Sequence, residues 1–259
     1  MNNTDSATAP PKSDPGSARA RWKSLSFAVP ALVAVAFVAF ALPPYLTLDP
    51  SRSRIPPPVD LPAYYPLLVA HVVFASIAIL TAGMQIWTGL RRRYPALHRN
   101  IGRVYIFAGV LPASSFGFAI GSVSPFGPIT RASNVLLAML WLACTLIGYQ
   151  MGRRRRYNEH RRWMIRSFAL TLSIITNRVW AVIFASVLVP QLSTTFRGNE
   201  VFLGQTIAGL SAWLGWVIPL LIVEWWFVER MEKSQRSGEE KRQRSRTSQS
   251  QLRPDVGIS

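Results

Sequence analysis

Six apolar runs constrain this chain more than any other feature of its sequence; they lie at roughly 24–46, 64–90, 103–123, 129–151, 163–189 and 203–228. Each is near the ~20 residues with which a helix crosses about 30 Å of hydrocarbon. None alternates apolar and polar residues with period two, which argues against a barrel. Helices then remain as the way to satisfy every backbone polar group in lipid. The expected fold is all-α: a polytopic membrane helix bundle of about six transmembrane helices, with spans two to five as a four-helix core flanked by spans one and six. Charged residues make up only 16% of the chain, against about 25% in soluble domains.

The formal charge of +17 would suggest nucleic acid in a soluble protein, but the placement of the basic residues explains it more simply. Lys and Arg crowd the leading tail, the connections after spans two and four, and the trailing tail. Together these hold 24 basic residues, whereas the opposite loops hold 4: Arg52, Arg54, Arg131 and Arg197. The positive-inside rule therefore places both tails in the cytoplasm, and an even number of spans follows. Trp22, Trp87, Trp163, Trp225 and Trp226 fall at the inner surface and Tyr45, Tyr64 and Tyr65 at the outer one, as interfacial aromatics do. The expected setting is a cytoplasmic (inner) membrane, with lipid as the surrounding partner, anionic headgroups at the cytoplasmic face, and no nucleic acid.

Residues 1–23 and 229–259 lack apolar periodicity and read as disordered cytoplasmic tails around one membrane domain, 24–228. The first run could also be a cleaved signal peptide, since it follows basic residues and contains the small-x-small triplet Ala39-Phe40-Ala41. Its length, the ~25 residues before it and Pro43 just past the candidate cut favour an uncleaved anchor. The single cysteine, Cys144, lies in the fourth span, so neither an intramolecular disulfide nor a thiolate metal cage can form, and no metal site is expected.

Two of the three histidines open related phrases, His98-Arg99-Asn100-Ile101-Gly102-Arg103 and His160-Arg161-Arg162-Trp163-Met164-Ile165-Arg166, each at the start of a span on the inner side. The third, His71, lies near the outer end of span two. Together with Gly83-Met84-Gln85, Pro95, Leu97, Tyr105, Ser167, Ala169, Thr171 and Arg178, these ordered phrases resemble the domain-of-unknown-function 2306 family of predicted bacterial integral membrane proteins over about residues 62–190. The resemblance implies an architecture and a set of positions, and it carries no reaction with it.

The residues themselves support three readings of the two His-Arg corners. His98 and His160 could ligate haem b, with Arg99, Arg103 and Arg166 receiving the propionates. Each corner could instead anchor a helix start against lipid phosphate. The same corners could also recognise an anionic lipid or quinone as a ligand. The small-residue ridges Gly109, Ala113, Gly117, Gly121 on span three and Ala169, Ser173, Asn177, Ala181, Ala185 on span five suggest that these spans touch. At 100° per residue that contact would turn the two imidazoles apart. In the outer half, Arg178 beside Asn177 needs a partner, and His71 is the nearest side chain by depth. His71, Asn177, Arg178 and Gln85 thus form the candidate ligand pocket, with Gln85 expected to hydrogen-bond toward the His98 layer. Glu224 is expected to pair with an inner arginine, and the lack of other carboxylates in the spans disfavours a carboxylate-driven pump. The leading expectation is a small-molecule-binding membrane protein without an assigned reaction; the rival is an electron-transfer cytochrome.

Overall fold

A computed structural model describes residues 31–58 and 60–251. The leading tail, with Trp22 and the start of the first run, lies outside them. Every regular element among the described residues is helical. Five helical stretches are long and apolar enough to cross a membrane: Tyr64–Gln85, Pro95–Ser122, Gly127–Arg153, Tyr157–Gln191 and Glu200–Phe227. At 1.5 Å per residue the shortest spans about 33 Å, enough for the hydrocarbon core. Their outward faces carry Val182 and Trp225 at 70% exposure and Leu221 at 60%. A water-soluble bundle would bury such a face; a lipid-facing one leaves it bare.

Two compact units divide between Phe116 and Gly117. The first contains α1 (Ala31–Ala41), α2 (Pro43–Leu46), α3 (Tyr64–Ile86), α4 (Thr88–Arg93) and α5 (Pro95–Arg103). A π-helical stretch, Val104–Val110, then leads into α6 (Leu111–Ser122). The expected first span to position 46 is not one helix: α1 stops at Ala41, and the Pro43-Pro44 pair starts a separate turn. The third span begins eight residues earlier than the apolar run suggests, because Pro95 takes the first helical position, where its missing N–H costs nothing. The π-helical stretch ends just before Pro112, which cannot donate to the preceding turn. Leu68, Ala78, Tyr105, Val110 and Ala113 fill the core of this unit, where α3 lies along the α5–α6 rod.

The second unit holds α7 (Gly127–Arg153), α8 (Tyr157–Thr171), α9 (Ser173–Leu188) and α10 (Glu200–Gln251). Gly127 enters α7 at φ +86°, a conformation glycine takes without strain. A tight turn joins α7 to α8: Arg155 adopts φ 59°, and the Arg156 N–H bonds the Met151 carbonyl at 2.9 Å. A break at Leu172 separates α8 from α9. α7 packs on α8, and α10 packs on α7, α8 and α9. The most buried positions here include Ser133, Thr145, Ser167 and Ser211. Small hydroxyl side chains at helix contacts let backbones approach closely and give hydrogen bonds where lipid offers none.

α10 continues as a helix to Gln251, although the sequence from 229 onward reads as disordered. Glu, Lys, Arg and Gln are good helix formers, and an existing helix propagates without a new nucleation cost.

Candidate functional site

In the first unit, the residues singled out from the sequence lie along the seam between α3 and the α5–α6 rod. At one end, His71 Nδ1 lies 2.8 Å from the Ala113 carbonyl oxygen. A carbonyl only accepts, so Nδ1 carries the proton and donates, which leaves Nε2 with its lone pair. One turn on, Phe74 stacks on Phe116 with ring centres 6.0 Å apart. In the middle, Gly109 sits against the Ala78 backbone so closely that an added Cβ would be 3.0 Å from the Ala78 Cα. At the far end, Gln85 Nε2 donates to the His98 carbonyl at 3.0 Å, and Gly102 packs on the same amide. Gln85 is therefore held by the backbone at the His98 layer. The His98 ring is half-buried in the first turn of α5; Arg99 and Arg103 are exposed, with Arg103 3.5 Å from Asn100 Oδ1.

The second unit repeats this design between α7 and α8. His160 also stands in the first turn of its helix, and its Nδ1 donates to the Gly148 carbonyl at 2.7 Å. Gly152 lies against the same ring, and Trp163 and Met164 cover Gly148. Further along, Thr145 and Ser167 share a hydrogen bond of 2.6 Å, and Trp141 Nε1 donates to Thr171 Oγ1 at 2.9 Å. His160, Met164, Ser167 and Thr171 recur at helical spacing, so one face of α8 carries them all. Trp216 Nε1 donates to Ser133 Oγ at 3.0 Å, tying α10 to α7.

Arg166 faces α10. Its guanidinium donates to both carboxylate oxygens of Glu224, at 2.5 and 2.8 Å, and its Cζ lies 4.7 Å from the Trp163 ring centre and 5.2 Å from that of Phe227. Among the described residues this is the one ion pair that joins two helices. The sequence offered Arg166 as a propionate ligand, but the Glu224 carboxylate already holds its fork. Asn177 packs on Gly215, and Thr176 Oγ1 donates to the Gly215 carbonyl. Arg178, next to Asn177, is exposed. His71 and Arg178 fall in different units, as do His98 and His160.

The ridge residues have neighbours within their own units: Gly109 meets Ala78, Gly121 meets Asn134, and Asn177 meets Gly215. The sequence reading missed the hydroxyl and tryptophan bonds along α7. Their signal was present in the polar and small residues Thr145, Gly148 and Gly152 at steps of three and four.

These features define a class: a polytopic α-helical membrane protein whose intramembrane polar groups join its helices, with two imidazoles each held by a backbone carbonyl. The chain belongs to the predicted membrane protein family DUF2306, whose model matches residues 68–227. That match reaches further than the resemblance at 62–190, taking in span six and therefore Glu224 together with its partner Arg166. No curated protein and no solved structure matches the chain.

Proposed function

We propose that this protein binds a lipid-like or quinone-like small molecule inside the membrane, with the His71 imidazole as its principal polar contact. The observation that carries this reading is the bond from His71 Nδ1 to the Ala113 carbonyl. An ionisable side chain within a transmembrane helix is costly and marks a functional position by default. With Nδ1–H engaged, Nε2 accepts from a hydroxyl such as a quinol's, and after taking up a proton it donates to a quinone carbonyl or an anionic oxygen. In the second unit, Asn177 and the exposed Arg178 make a separate proposed contact for an anionic or carbonyl-bearing group. The clustering of Lys and Arg in alternate connections of the sequence supports a topology with both tails inside, and the family resemblance supports a bacterial cytoplasmic membrane setting. In that setting Arg99 and Arg103 contact anionic headgroups.

The test is a titration of the full chain in nanodiscs with a short-chain quinol, read by quenching of its nine tryptophans. His71→Leu weakens binding about tenfold, the cost of leaving a buried hydroxyl unpaired, while His71→Gln keeps part of it. Unchanged affinity in a His71→Leu protein that melts normally defeats the reading.

A second reading, haem b with His160 as an axial ligand, is favoured by one observation. Imidazoles that ligate metals donate their other N–H to a carbonyl or carboxylate, as His160 does to Gly148. Haem supply during expression followed by oxidised and reduced absorbance spectra decides it. A Soret band lost on His160→Ala supports haem, and a colourless protein removes it.

A further inference from the structure

The loop after α1 folds back on that helix and borders a shallow, open groove of about 510 Å³ lined by Phe40, Pro43, Pro44, Thr47, Arg52 and Arg54. One wall is apolar and stiff, made by an aromatic ring and two prolines; the other carries two arginines. Arg54 is fixed in place: its Cζ lies 3.8 Å above the centre of the Phe40 ring, and its Nη2 donates to the Phe40 carbonyl at 2.9 Å. That bond engages one of the five guanidinium N–H groups and leaves the others to donate.

Arg52 Nε lies 3.6 Å from Asp49 Oδ2 in a solvent-exposed ion pair, a kind that holds its partners weakly, while Asp49 Oδ1 accepts from the Ser51 N–H at 3.0 Å and the Ser51 hydroxyl at 2.8 Å. Those Ser51 bonds hold the Asp49 carboxyl below the ordinary carboxylate range. The Thr47 hydroxyl donates to the Pro44 carbonyl at 2.8 Å, so toward a ligand it can only accept.

We infer that this groove is a binding site for one anionic phospholipid, its phosphodiester held between Arg52 and Arg54. The apolar wall continues into the bare face of α1, where Leu32 is 69% and Phe40 60% exposed. That continuity points to a molecule with an acyl chain rather than a free phosphate. The site is separate from the His71 pocket, so either can fail alone.

Native mass spectrometry of the detergent-purified full chain tests the assignment, with dioleoyl phosphatidylglycerol as the probe and dioleoyl phosphatidylcholine as the neutral control. Each arginine near an anionic headgroup contributes roughly fivefold in affinity. Wild type therefore holds one phosphatidylglycerol more tightly than Arg52→Gln/Arg54→Gln does, and phosphatidylcholine does not distinguish them. Arg54 braces the loop, so Arg52→Gln alone is the second variant; its exposed side chain can be removed without disturbing α1, and about a fivefold loss is expected. Equal phosphatidylglycerol retention in wild type and Arg52→Gln overturns the proposal. Displacement of the lipid by an equal concentration of inorganic phosphate overturns the lipid assignment.

Discussion

Glu224→Ala lowers the thermal stability of the detergent-solubilised protein by about 2–3 kcal/mol. Removing one partner of a buried ion pair costs about 3–5 kcal/mol, because the remaining charge loses its compensation. The lower figure applies here because the Glu224 side chain is 41% and the Arg166 side chain 21% accessible, so surroundings relieve part of the charge. The variant leaves Arg166 between Trp163 and Phe227 with its fork empty. Arg166→Leu/Glu224→Leu recovers much of the loss, because an apolar pair of similar volume needs no compensation. A double-mutant cycle of thermal melts isolates this coupling. A Glu224→Ala midpoint equal to wild type means that the pair does not tie α8 to α10.

Gly109→Val disrupts the hairpin of the first unit, whereas Gly83→Ala leaves it intact or firmer. A Cβ at position 109 meets the Ala78 Cα and Cβ at 3.0 Å and its nitrogen at 3.1 Å. Backbone on the facing helix cannot swing aside as a flexible side chain can. Overpacking costs about 1–3 kcal/mol, and the branched valine lies at the upper end. At Gly83 no atom lies within 4 Å of an added Cβ, and alanine gains about 0.5–1 kcal/mol of helix propensity. Parallel melts of the two variants separate these outcomes. If Gly109→Val melts with Gly83→Ala, α3 and the π-helical stretch are not in close contact.

The long apolar runs made five of the helices legible, because a span must be apolar over nearly its whole length. The ends were less legible. Residues 95–102 contain too many polar groups to register as a span, although Pro95 begins the helix there. Facing directions could not be extrapolated: the phase argument assumes 100° per residue from His98 to Gly109 through Val104–Val110, which is π-helical, and the span-five ridge runs through Leu172, where that span breaks. The partners of the histidines were backbone carbonyls, Ala113 and Gly148, which no residue type announces. The Arg166–Glu224 pair was within reach, since one acid near the inner end of span six faced a choice of inner arginines. The Arg54–Phe40 stack was not, because it depends on how the proline-rich segment after α1 turns back to join residues 14 apart in sequence.

The 52-residue length of α10 sets how its two parts depend on each other. Beyond Phe227 the helix has too little apolar surface to start on its own, and its order is an extension of turns already formed within the bilayer. Each turn of the arm therefore depends on the turn nearer the membrane, back to where Arg166 clasps Glu224.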